Sequence, residues 1–114
     1  MDIKQTHQIS FDYSGKHYTL EYTRDSVKMM EAMGFSIEDF GDKPATRIEQ
    51  LWAGSFLANH RKVSNSVVKD LYDKMKDKEA LVTKLVEMYN YTLSSLMPDK
   101  DEDESGNVEW TASL

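Results

Sequence analysis

The strongest constraint on the fold of this chain is an alternating pattern of side chains on both sides of Ser14-Gly15. Glycine readily adopts the positive φ that a two-residue hairpin loop requires. Pairing Tyr13 with Lys16 fixes the register of the other apolar pairs, which are Phe11 with Tyr18, Ile9 with Leu20 and His7 with Tyr22. Because side chains alternate along a strand, one face of the predicted β-hairpin is apolar. An isolated hairpin is marginally stable in water, so this face must pack on the rest of the chain.

The residues that follow have the periodicity of amphipathic helices. Four helices are predicted, and residues typical of helix starts lie at Thr23, Pro44, Ser64 and Asp77. The periodicity of the second helix extends to Phe56 and includes Gly54, which indicates close approach by another element. The predicted fold is mainly α with an N-terminal β-hairpin (α+β), a small bundle of about four helices with a flexible acidic C-terminal tail.

Charge divides the chain into two parts. Residues 1–97 carry 13 basic and 14 acidic side chains, whereas residues 98–114 carry Lys100 against six acidic side chains, a net charge of −5. We therefore predict a hairpin plus helical-bundle domain over residues 1–97. Residues 98–114 are predicted to be a solvated acidic linker followed by a C-terminal docking peptide, because Val108 and Trp110 are apolar again after the charged stretch.

Composition also bears on location and partners. The chain has no cysteine, no signal-peptide pattern and no apolar run of the roughly 18–20 residues that span a bilayer, which predicts a cytoplasmic protein without membrane contact. A body with nearly balanced charge offers little for neutralising phosphates, and an acidic tail repels them. We therefore expect no nucleic-acid partner.

No residue pattern indicates catalysis, a metal site or a cofactor. The three histidines are dispersed and the five glycines are scattered, so neither a zinc motif nor a phosphate-binding loop is present. Residues 101–109 match the start of an EF-hand loop, but Ala112 occupies the position that requires a bidentate glutamate. The sequence predicts a protein that is not an enzyme and has no bound metal or cofactor.

The fourth predicted helix has an apolar face wider than a surface helix needs. Either this helix is the centre of the bundle, or its apolar face also forms an interface with a partner. Six of the seven methionines lie in the predicted helical region, where they either fill the core or form an adaptable binding surface. The candidate partner-binding residues are Leu81, Leu85, Met88, Tyr89, Val108 and Trp110.

Several stretches resemble a family of small siphophage and prophage proteins of Gram-positive bacteria. They are GKHYTLEYTRDSVKMMEAMGF (15–35), KPAT (43–46), WAGSFLANH (52–60), LVEMY (85–89) and GNVEW (106–110). That family looks like the tail assembly chaperones, which act like the G protein of lambda-like phages. The resemblance implies a protein that coats the long tape-measure protein until the tail tube forms, and that is not retained in the mature virion. It implies no catalytic residues.

Two other classes stay open at this point. One is a structural virion protein, such as a head–tail connector or tail terminator. The other is a small regulatory or DNA-binding phage protein, although the third helix balances Lys69, Lys74 and Lys76 against three aspartates and lacks a basic recognition face. The sequence leaves open whether the protein forms a homo-oligomer and whether the C-terminal peptide docks within its own chain.

Overall fold

A computed structural model describes residues 7–97 of the protein. An antiparallel hairpin precedes four helices, which confirms the predicted fold class. The elements are β1 (Ile9–Tyr13), β2 (Lys16–Leu20), α1 (Arg24–Ala32), α2 (Pro44–Gly54), α3 (Asn65–Lys74) and α4 (Lys78–Leu96). The predicted linker and peptide of residues 98–114 lie outside the described residues.

The hairpin has the predicted register from Ile9 to Leu20, whereas the predicted pair of His7 with Tyr22 lies beyond the ends of both strands. Tyr13 pairs with Lys16, Phe11 with Tyr18 and Ile9 with Leu20. The two loop residues Ser14 and Gly15 both have positive φ, 54° and 80°. Positive φ at both loop positions gives the two-residue turn whose twist matches that of paired strands.

Three predicted helix starts are capped by their own side chains. Thr23 accepts the Ser26 N–H and Ser26 Oγ accepts the Thr23 N–H, so the two residues form a reciprocal capping box. Ser64 accepts the N–H of Val67, and Asp77 accepts that of Ala80. The second helix begins differently: Pro44 occupies its first turn and Lys43 makes no side-chain cap.

The second helix is shorter than the periodicity predicts. It ends at Gly54, and Phe56 lies beyond it in a series of turns in which Phe56 and Leu57 donate to carbonyls three residues back. These turns bind the hairpin: the Glu21 N–H donates to the Ser55 carbonyl (3.1 Å), and the Thr19 N–H donates to His60 Nε2 (2.9 Å). The segment after α2 is thus bonded to β2 at Thr19 and to the residue after β2, Glu21.

Helix α4 is the centre of the bundle. Helices α1 and α2 pack on it and on each other, and α3 packs on α2. Gly54 of α2 lies against Met30 of α1, since a Cβ at this position would lie 2.6 Å from Met30 Cε and 2.8 Å from its Cγ. This contact confirms the close approach that the helical glycine predicts. No helix within residues 7–97 is long and apolar enough to cross a membrane.

Candidate partner-binding surfaces

The structure places four of the six predicted partner-binding residues in the hydrophobic core. Leu81, Leu85, Met88 and Tyr89 are all buried, and Leu85 has no exposed surface. Their burial accounts for the wide apolar face of α4, because helices pack on this face from two directions. A partner of the folded domain would instead meet the half-buried Val82, Val86 and Leu93. The other two predicted residues, Val108 and Trp110, lie outside the described part of the chain.

The sequence pattern groups Val67 with the inward apolar residues of the third helix, but Val67 is 40% exposed, so this prediction was wrong. Met33, which continues the apolar period of α1, is 63% exposed. Met33 is the C-cap of α1 rather than part of its last turn, and Val67 lies on the solvent side of α3 beside the buried Val68. At the end of α4, Tyr91 and Met97 are also more than half exposed.

An apolar cavity of about 280 Å³ lies between the end of α1 and α2, lined by Met30, Met33, Phe35 and Gln50. The local sequence builds it through the way α1 ends. Gly34 has φ +97°, its N–H donates to the Glu31 carbonyl, and the Phe35 N–H donates to the Met30 carbonyl at 2.9 Å. This is a Schellman motif, in which the residue after glycine packs against the last turn of the helix. Met30 and Phe35 thereby form two walls of the cavity.

A buried arginine fixes the other wall. Arg47 donates from Nε and Nη2 to the two carboxylate oxygens of Asp39, at 2.7 and 2.9 Å. Its Nη1 donates to the Gly34 carbonyl and to Gln50 Oε1. The hydrogen bonds from Arg47 hold the pKa of Asp39 below its usual value, so the pair stays ionised near neutral pH. The arginine thus ties the loop after α1 to α2 and orients Gln50 at the cavity.

A second depression, which we call the basic groove, lies beside the hairpin. It encloses about 410 Å³ and is lined by Lys16 and residues 57–63, which include Arg61 and Lys62. Lys16 Nζ lies 5.2 Å from the centre of the Tyr18 ring, and the same ring packs at a tilt against His60. Because the charges of residues 1–97 nearly balance, composition alone does not reveal this local group of cations.

His60 joins the basic groove to the hairpin. Its Nε2 accepts the Thr19 N–H, so protonation at Nε2 would break this bond. Partial burial, together with the positive charge of Lys16, lowers the pKa of His60 below its usual 6.5. The ring is therefore neutral at pH 7 and acts as a structural acceptor.

The sequence interpretation missed both depressions, although each has a local signal. Gly34-Phe35 after an amphipathic helix is a typical Schellman ending, and His60-Arg61-Lys62 is a short basic run. The second signal is incomplete, because Lys16 joins the run only through the tertiary fold. Across residues 7–97, no three His, Asp or Glu side chains are grouped so that they could hold a metal ion. One depression is lined mainly by apolar side chains and the other by several cations.

Comparison with known proteins places the chain in a family. Residues 4–114 match the model of a family described as a domain of unknown function, DUF5055. No curated protein and no solved structure matches the chain.

Proposed function

The chain belongs to the DUF5055 family, and we propose that it is a phage tail assembly chaperone that binds the tape-measure protein and keeps it soluble. The resemblance of five stretches, spread from Gly15 to Trp110, to siphophage tail assembly chaperones provides the class of function. On this proposal the protein acts in the host cytoplasm and is absent from the finished virion.

The observation that carries the proposal is the apolar cavity with Met33 at its rim. Met33 is 63% exposed and unbranched, while Met30 and Phe35 beneath it are almost fully buried. Methionine adapts to apolar partners of varied shape, which suits a protein that must hold many different segments of one long chain. The cavity would receive a large apolar side chain from an amphipathic helix of the tape-measure protein, in the manner of other helix-in-groove complexes.

Co-expression tests this assignment. The full-length chain, carrying an affinity tag, is produced together with the tape-measure protein of the same phage, and soluble complex is measured after purification. Met33→Glu should reduce capture by roughly tenfold, because a carboxylate would be desolvated at the cavity rim. Since Met33 is exposed, the melting temperature should hardly change.

Val67→Glu is the matched control, because it introduces the same charge at another exposed apolar position, on α3. It should leave capture unchanged. If the unaltered chain does not capture the tape-measure protein, the chaperone assignment is wrong. Detection of the chain in purified particles would then favour a structural virion protein.

A further inference from the structure

The cations of the basic groove lack acidic partners in the described fold. Lys16, Arg61 and Lys62 line the groove, and no carboxylate does. Within residues 7–97, none of these three side chains has a carboxylate oxygen within 4.0 Å. The acidic side chains of the hairpin are engaged elsewhere, since Asp12 binds His17 at 2.6 Å and Glu21 accepts from Asn59 at 2.7 Å. The groove therefore has unbalanced positive charge.

The same chain carries the opposite imbalance just beyond α4. Residues 99–104, which we call the acidic segment, contain five carboxylates and one lysine. The family match continues through residue 114, so the acidic segment belongs to the same family unit as the groove. A compact run of carboxylates and a groove lined by three cations are complementary in charge.

The described fold places the end of α4 within reach of the groove. Near the end of α4, Tyr91 stacks on His7 with ring centroids 3.5 Å apart, and Thr92 Oγ1 donates to the Tyr22 carbonyl at 3.2 Å. From Thr92 to Met97 the helix advances roughly 8 Å. From Tyr22 back to Thr19, at the groove, the extended chain covers about 10 Å. Residues 98–104 can span roughly 23–25 Å when extended, so the end of the acidic segment can reach the groove along this path.

We propose that the acidic segment, residues 99–104, docks on the basic groove of its own chain. The groove is then a binding site for acidic peptides, and the chain's own segment is its resident ligand. Lys16 and Lys62 supply mobile ammonium groups, while Arg61 can pair with a carboxylate through two N–H groups. This inference does not depend on the proposed chaperone function, which involves the apolar cavity between α1 and α2.

Zero-length crosslinking with a carbodiimide tests the contact in the unaltered, full-length protein. The reagent joins a lysine amine to a carboxylate only where the two are in contact, and mass spectrometry identifies the joined residues. We expect links from Lys16 or Lys62 to residues 99–104 within one chain, at a yield independent of protein concentration. Links between chains whose yield rises with concentration would overturn same-chain docking in favour of a second copy. The absence of links from the groove lysines to this segment would overturn the docking altogether.

The His60 ring gives a second, independent readout. The full-length chain is compared by NMR titration with a full-length variant in which residues 99, 101, 102, 103 and 104 are changed to Asn or Gln. Docked carboxylates should raise the proton affinity of His60 roughly twofold to fivefold relative to the variant, the range of exposed ion pairs. The difference should shrink at about 1 M salt, where the screening length is about 3 Å.

Two pairs of charge-reversal substitutions distinguish binding in the groove from a general effect of net charge on His60. Lys16→Glu with Lys62→Glu should abolish the effect of the acidic segment on His60. Lys69→Glu with Lys76→Glu changes the net charge equally at exposed positions away from the groove and should leave the effect intact. The proposal would be overturned if both pairs of substitutions weakened the effect of the acidic segment on His60 equally. It would also be overturned if neutralising the acidic segment left the proton affinity of His60 unchanged.

Discussion

The helical bundle and the hairpin share one hydrophobic core but differ in how far they depend on it. Around α4 the contacts are apolar and fully buried, with Leu85, Met88 and Tyr89 at most 1% exposed. The hairpin buries Leu20 completely, but its backbone is fastened to the turns after α2 by individual hydrogen bonds at Ser55 and His60. Packing energy is spread over many atoms, whereas each hydrogen bond contributes only about 0.5–1.5 kcal/mol. The hairpin should therefore be the part that loosens first.

The largest expected effect lies in the bundle. Leu85→Ala should lower the free energy of unfolding by about 2–5 kcal/mol, because it removes a fully buried side chain and leaves a cavity beside α1 and α2. Denaturant unfolding measures the loss. Glu87→Ala, an exposed position of the same helix, is the control and should stay within about 0.5 kcal/mol. A loss below about 1 kcal/mol for Leu85→Ala would contradict the assignment of α4 as the centre.

A smaller effect is expected where the chain leaves the hairpin. The Tyr22 hydroxyl donates to the Leu51 carbonyl at 2.6 Å, and burial raises its pKa well above the usual value, so the proton stays in place. Tyr22→Phe should cost about 0.5–1.5 kcal/mol, because the Leu51 carbonyl keeps the Ser55 N–H as a second donor.

Tyr91→Phe is the matched control for this substitution, since Tyr91 is more than half exposed. Denaturant unfolding should show almost no change for it. If Tyr22→Phe lowered the free energy of unfolding as much as Leu85→Ala, the contrast between the hairpin and the helical bundle would be contradicted.

The smallest expected effect is a dependence on pH. The pKa of His60 is lower in the folded protein than its usual 6.5, so the unfolded chain binds more protons in this range. The stabilisation from neutral His60 is complete above about pH 6.5 and is lost as the pH falls through the lower, folded pKa. The protection of the Thr19 amide against hydrogen exchange, measured relative to the intrinsic exchange rate at each pH, should therefore fall in mild acid before protection within α4 does.

His60→Gln separates this effect from other titrations, because the glutamine amide oxygen can accept the Thr19 N–H and does not titrate in this range. The variant should lose the acid-dependent part of the Thr19 exchange. An unchanged pH profile would show that His60 is not the titrating group.

Local sequence was sufficient for the elements whose determinants are neighbours in the chain. The Ser14-Gly15 turn sets the register of both strands, and Thr23 with Ser26 sets the start of α1. Such features follow from backbone sterics and hydrogen bonds within a few residues. Periodicity likewise identified α4, but it could not distinguish a face that binds a partner from one that the protein itself covers.

The candidate surfaces required the tertiary fold. Met30 and Met33 lie three residues apart in one sequence pattern, yet one is buried and the other exposed, because Gly34 turns the chain before Met33 can join the packed face. Lys16 and Arg61 are 45 positions apart and share one groove only because the turns after α2 bind β2.

The sequence by itself thus determined the hairpin register, the capped helix starts and the mainly helical class, all of which depend on interactions within a few residues. The tertiary structure alone decided which apolar side chains remain at the surface and which cations meet. Burial and charge grouping depend on contacts between segments distant in the chain, and the periodicity of a single segment carries no information about which neighbour covers it.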